Sequence, residues 1–513
     1  VSLGRAVFTI GGWTLLSRIA GLAREMLVAD YLGAGMISDA FMVAFRFPNL
    51  FRALFAEGAF NVAFVPLFDA KLASGGRDAA KRFAEQAYAV LAVSLLAVVI
   101  VMELAMPWAI YGLAPGFDDM PGKIELAAEL SRITFPYLLF ISLVSLQSGV
   151  LNALGRFAAA AGTPVLLSVT SMALLVALAP ISPTVGHAAA WGVFASGVTQ
   201  FLWLLFSMRR AGMSLAWVRP RLTDDVTQLL RKVVPGALGA GVYQLNLVIN
   251  TVIASRVANG AVSDINYADR LNQLPLGVVG IAIGTALLPT LTRQIRSGDL
   301  AAASQSQNRA MEFGLFLALP AACAFVVLGH PIIAVLFEHG AFTPENTDQV
   351  APTLAAFALG LPAYVLIKAL TPSFFARHDT KTPVKVAMIA VLINILLNLA
   401  LMMPLKQVGM ALATAISAWV NLALLGWHLR RLGHFTIDAR LRSRAWRILI
   451  ACLVMSALLW QAQSLLQPLW VQWRLVTLVL LVALGLVLYG GASLLTRAMT
   501  LGDLRMMVRR NPN

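Results

Sequence analysis

Apolar stretches long enough to cross a bilayer follow one another along nearly the whole of this chain, and no connection between them is long enough to fold by itself. A spanning helix needs about 20 mostly apolar residues. Within hydrocarbon each backbone N–H and C=O must be bonded inside its own segment, so helices result. Fourteen such stretches run roughly over 6–29, 36–68, 86–112, 126–153, 160–182, 187–208, 233–257, 266–292, 311–337, 347–374, 383–403, 408–429, 445–466 and 472–496. The expected fold class is all-α, a polytopic integral membrane protein of 14 transmembrane helices. Composition agrees: 59% of the 513 residues are hydrophobic and only 12% are charged, against about 25% charged in a soluble domain. Two cysteines, Cys323 and Cys452, exclude a disulfide scaffold. The first stretch carries Arg18, Arg24 and Glu25 and reads as a span, not a cleaved leader.

The net charge of +15 would suggest nucleic acid in a soluble protein. Here it is a topological label. Of 39 Lys and Arg, 28 fall in alternate connections and the two termini. The other connections hold only Lys123, Arg256, Lys406 and Arg474. The positive-inside rule places the rich set, and both termini, in the cytoplasm.

The longest connection, 211–232, divides the chain. The expected organisation is an N-lobe over 1–210 (spans 1–6), a cytoplasmic linker over 211–232, and a C-lobe over 233–431 (spans 7–12). Spans 13 and 14 follow over 445–496, then a basic tail over 497–513. A weak repeat supports two pseudo-symmetric six-helix lobes. AFRFPNLFRALFAEGAFNVAFVPLFDAKLASG at 44–75 and ADRLNQLPLGVVGIAIGTALLPTLTRQIRSG at 268–298 share Ala-x-Arg, two prolines and an exit ending Ser-Gly. Repeated bundles with a site between them are a transporter plan.

No phosphate-binding G-x-x-x-x-G-K-[ST] loop and no His/Cys metal cluster occurs, and few carboxylates lie within spans. The expectation is therefore a transporter rather than an enzyme, without a cofactor, coupled to a monovalent cation or to the membrane potential. Seven cations remain in or near spans: Arg18, Arg24, Arg46, Arg52, Arg132, Arg270 and Lys368. Each costs about 2.5–3.5 kcal/mol at mid-membrane. Arg132, Arg46 and Lys368 can snorkel to the headgroups. Arg18, Arg24, Arg52 and Arg270 have small or polar neighbours and no apolar flank to climb. Arginine grips phosphate in a planar fork and keeps its charge, so buried arginines with few acids call for an amphiphilic anion. The alternative is structural ion pairing, Arg18 with Glu25 or Asp269 with Arg270.

SRIAGLAREMLVADYLGAGMISDAFMVAFRFPNLFRALFAEGAFNVAFVPLF, at the start of the chain, closely resembles the MurJ (MviN) family, bacterial lipid II flippases of the multidrug/oligosaccharidyl-lipid/polysaccharide exporter superfamily. INYADRLNQLPLGVVGIAIGTALLPTL and FFARHDTKTPVKVA resemble later signatures of that family. The resemblance implies a V-shaped pair of six-helix lobes with two further helices forming a hydrophobic groove. It implies movement of lipid II, an undecaprenyl-pyrophosphate-linked disaccharide-peptide, across the inner membrane by alternating access, for cell-wall synthesis. By motif the family's cavity arginines fall on Arg18, Arg24, Arg52 and Arg270, with Asp39, Glu57 and Glu25 as acidic members of the substrate site. Gln273 stands where some relatives carry Glu. Some relatives bind sodium; the matching positions are Asn250, Asn394, Asn398 and Thr414. All four are neutral, whereas hard cations want carboxylate charge, so interhelical amide bonds are the expected use. The expected partners are lipid II and membrane lipids, with no nucleic acid, and the chain is expected to be a monomer. The rival readings are an ion-coupled exporter of drugs or other lipid-linked oligosaccharides, and a non-transporting membrane scaffold.

Overall fold

The computed structural model describes residues 3–55, 59–470 and 472–499; within them, the side chains of 3–10, 53–55, 59, 61–62, 234–243, 281–282 and 284–286 are left undescribed. The described residues are mainly helical, with turns and short connections and without a strand. Among the described residues nine helical stretches are long and apolar enough to cross a membrane, and the chain is a multi-pass membrane protein. It divides into two compact units, one of residues 1–263 with 339–342, the other of 264–338 with 343–513.

The first unit holds α1 (Leu3–Leu32), α2 (Met36–Phe55), α3 (Ala59–Leu113), α4 (Lys123–Thr134), α5 (Tyr137–Ala153), α6 (Phe157–Ala161), α7 (Thr163–Leu178), α8 (Val185–Arg210) and α9 (Asp224–Ser255). α3 reverses at Gly76, whose φ of 67° is left-handed, a conformation glycine adopts without penalty. Phe60, Phe64 and Phe68 stack along its first half, and Phe83 from the second half stacks on Phe64 at 5.4 Å. These rings sit in the unit's buried core.

α9 starts at Thr223, whose hydroxyl accepts from Val226 N, with Asp224 and Asp225 in its first turn; both features favour a helix start. The division of the units falls after α9 rather than at the 211–232 connection. That connection is fastened to α3: Ala216 N donates to Glu85 Oε1 at 2.9 Å and Arg221 N to Gln86 Oε1 at 3.2 Å. Lys71 also pairs with Asp225 at 2.8 Å.

The second unit holds most of α10 (Ala261–Arg296), then α11 (Leu300–Phe337), α12 (Pro344–Ala358), α13 (Leu361–Phe375), α14 (Lys381–Arg431), α15 (Ala439–Leu465), α16 (Gln467–Trp470) and α17 (Arg474–Leu495). α14 reverses at Lys406, where φ is 49°. α12 begins with a capping box between Thr343 and Asn346. One buried cluster joins α10, α11, α13, α14, α15 and α17.

Candidate functional site

The candidate residues are carried by α1, α2 and α10, helices outside the nine most apolar stretches. On α1, Arg24 is held close: its side chain is 12% exposed, and Nη2 donates to Glu25 Oε1 at 2.8 Å. Its guanidinium also lies 5.4 Å from the centre of the Phe45 ring of α2, a cation–π contact. Glu25 is buried. Arg18 is half-buried, and beside Gly21 the space is open. The sequence alternative of an Arg18–Glu25 pair gives way to an Arg24–Glu25 pair.

On α2, Asn49 works in two directions. Its Nδ2 donates to Phe45 O at 2.8 Å, which leaves Oδ1 to accept from Arg52 Nε at 3.0 Å. Arg46, which could have snorkelled, instead reaches α9, where Nη1 donates to Thr251 Oγ1 at 2.8 Å. The Thr251 hydroxyl proton goes to Leu247 O, so its lone pairs face the guanidinium. Arg24, Arg46 and Arg52 therefore share one unit and one small set of helices. Arg46 and Arg52 are each steered by a neutral oxygen. Sequence reading left Arg46 out of the site; its Ala-x-Arg setting, shared with Arg270, was the available clue. Glu57 lies outside the described residues.

Asp39 has a different place. It is fully buried, and four donors surround its carboxylate. Oδ2 accepts from Lys123 Nζ and Gly260 N, each at 2.8 Å. Oδ1 accepts from Ser263 N at 2.9 Å and Ser263 Oγ at 2.8 Å. Lys123, 2% exposed, also donates to Asn259 Oδ1 at 3.0 Å and lies 4.3 Å from the Phe117 ring centre. Asp39 has no exposed surface, and its carboxylate is occupied by these four donors. Nearby, Ala341 N donates to Asp30 O at 2.7 Å. Gly33 and Gly340 permit this approach: a Cβ on Gly33 would come within 2.4 Å of Ala341 O, and one on Gly340 within 2.3 Å of Asp30 Oδ1.

In the second unit Arg270 is half-buried on α10. One turn along, Gln273 donates to Asp269, so the neutral side chain at 273 is tied to the carboxylate that precedes Arg270. Asn394, Asn398 and Thr414 meet across the two halves of α14: Asn398 Nδ2 donates to Asn394 Oδ1 at 3.2 Å, and Asn394 Nδ2 to Thr414 Oγ1 at 3.3 Å. This is an amide ladder between helices. Asn250 belongs to the first unit. No group of three or more His, Cys, Asp or Glu suited to a metal occurs among the described residues. Lys368 is exposed, and Arg132 Nε donates to Glu103 O at 3.3 Å.

A second charge cluster lay unseen in the sequence. Glu312 of α11, buried, accepts from Arg309, Arg440 and Arg444, and Arg309 also bonds Asp438. Arg309, Arg440 and Arg444 read as topology alone, because their acidic partner is more than a hundred residues from two of them.

A sequence model described as "Lipid II flippase MurJ" matches residues 28–481. The chain belongs to the MurJ family. The "Probable lipid II flippase MurJ" of Rhizobium meliloti (strain 1021) is 46% identical over 96% of this chain and 95% of its own length. The "Lipid II flippase MurJ" of Burkholderia cenocepacia is 40% identical over 84% and 85%. Among solved structures, "Lipid II flippase MurJ, inward closed conformation" superposes with a TM-score of 0.79 at 25% identity, covering 98% of this chain and 99% of that one. An inward-facing multidrug MATE transporter of the MOP superfamily shares the fold, with a TM-score of 0.67 at 16% identity over 81% and 94%. The MurJ relatives are named as flippases, transporters and not enzymes.

Proposed function

We propose that this chain flips lipid II from the cytoplasmic to the periplasmic leaflet of the bacterial inner membrane, by alternating access, for peptidoglycan synthesis. The observation that carries the reading is the set of half-buried arginines on α1 and α2, Arg24, Arg46 and Arg52, two of them held by neutral side chains. Arginine keeps its charge and presents a planar fork to an incoming phosphate. Within the first unit Arg18 joins them as a headgroup ligand and Glu25 aligns Arg24; Arg270 is the headgroup ligand of the second unit. Taking the reversals at Gly76 and Lys406 as span ends supports fourteen spans with both termini cytoplasmic. The polyprenyl tail runs along α15 and α17, where Leu453, Val479, Leu486 and Val487 are more than half exposed. Membrane potential or a monovalent-cation gradient drives the cycle; the neutral ladder of Asn394, Asn398 and Thr414 favours potential over a tightly held cation. The two lobes switch between states that bind the headgroup differently.

The test is translocation of lipid II in proteoliposomes with Arg24→Ala and Arg270→Ala variants inserted at wild-type levels. The reading expects both to fail; wild-type translocation by either removes that arginine from the cargo site. Imposing a potential while varying sodium separately distinguishes the two driving forces. The drug-exporter reading predicts normal lipid II distribution in depleted cells, with drug sensitivity alone.

A further inference from the structure

The signature FFARHDTKTPVKVA has no place in the cargo site above. It forms the turn between α13 and α14, and it packs beside the turn that leaves α14: Phe374, Ala376, Leu429 and Phe435 belong to one buried cluster. Between these apolar anchors the polar groups are basic. Arg377 is half-buried, with Nη1 donating to Ser373 O at 2.9 Å and Ser373 Oγ at 2.6 Å. No carboxylate pairs with it among the described residues, and burial lowers its pKa. His434 is pushed down by burial and then by the charge of Arg377, so its ring is neutral at pH 7. The local carboxylate, Asp379, is occupied by Lys381 N at 3.1 Å and Thr382 N at 3.0 Å.

The membrane depth of these turns is marked by Trp427 at the end of α14. Its ring is 52% exposed, carries Arg431 at 5.3 Å from its centre, and meets the His428 ring edge-on at 4.8 Å. An exposed Trp beside arginine at a span end lies at headgroup level. We propose that Arg377, with Lys381 of the same turn and Arg431 at the end of α14, forms a phosphate site for a lipid headgroup. A desolvated guanidinium lacking a counter-charge gains most from a bidentate phosphate. The site belongs to the second unit and uses none of the arginines of α1 and α2, so its failure leaves the flippase reading intact. The phosphate can come from a bulk acidic phospholipid or from a pyrophosphate-linked isoprenoid lipid.

The experiment uses the full chain in phosphatidylcholine nanodiscs doped with brominated lipid, reading Trp427 emission as the difference between wild type and Trp427→Phe. Brominated phosphatidylglycerol should quench Trp427 about fivefold more effectively than brominated phosphatidylcholine at equal mole fraction, as one strong basic contact allows. Arg377→Gln should abolish the preference, and Arg442→Gln, at an exposed position elsewhere, should keep it. Inorganic pyrophosphate that relieves the quenching where orthophosphate does not assigns the site to the pyrophosphate lipid. An unrelieved preference assigns it to bulk phospholipid. Equal quenching by the two lipids, or a preference that survives Arg377→Gln, overturns the proposal. If Arg377→Gln does not elute as a folded species, the Lys381→Gln/Arg431→Gln double variant is read by the same two outcomes.

Discussion

Two charged regions of the first unit look alike in sequence and differ in the structure. Around Asp39, each charge is answered: Lys123 and three further donors close on a carboxylate with no exposed surface. Around Arg24, Arg46 and Arg52, positive charge is held by one glutamate, one amide and one hydroxyl, and the guanidinia stay partly accessible. Burial alone therefore does not mark a binding residue. The mark is a guanidinium positioned by the fold with part of its surface still accessible.

The comparison breaks most visibly at Lys123. Removing one partner of a buried ion pair costs about 3–5 kcal/mol, so Lys123→Met should lower the unfolding stability of the purified protein by that order. Adding Asp39→Asn should recover part of the loss. An unchanged melting curve for Lys123→Met would show that the pair does not hold the fold. On the other side of the comparison, Arg18→Ala, at a half-buried position beside open space, should leave melting nearly unchanged and weaken headgroup binding by about 30-fold or more, the lower end for a truncated charge contact. Lipid II titration of the detergent-purified variant measures this.

Smaller effects sharpen the same contrast. Gly340→Ala places a Cβ against Asp30 at a left-handed position, and should cost about 1–3 kcal/mol without changing headgroup affinity. Thermal unfolding and titration run in parallel check both halves. The smallest effect concerns pH. His434 has a folded pKa below the usual value of about 6.5. The unfolded chain therefore takes up its proton first as pH falls. The stabilisation from a neutral His434 is full above pH about 6.5 and is lost as pH drops through the lower folded value. His434→Gln should flatten that part of the stability profile, measured by melting between pH about 7.5 and about 5.5.

The helices and the intramembrane cations were legible in the sequence, since both follow from local runs of residue type. The pairing of those cations was not. Asp39 finds Lys123 at a separation of 84 residues and Ser263 at 224, and no local pattern carries such a contact. Lys123 appeared as an exception to the charge asymmetry, and Arg474 as another. Each is answered by a carboxylate, Asp39 at 2.8 Å and Glu338 at 2.9 Å, which explains how the arginine-poor connections tolerate them. The packing of α9 with the first unit was hidden for a similar reason. Glu85 and Gln86 sit on α3, far from the connection they hold.

The most direct measurement is lipid II translocation in proteoliposomes by Arg18→Ala and Arg52→Ala variants, with melting temperature recorded on the same preparations. The account predicts translocation lost and melting unchanged. Translocation at the wild-type rate, or loss accompanied by a collapse in melting temperature like that expected for Lys123→Met, contradicts it.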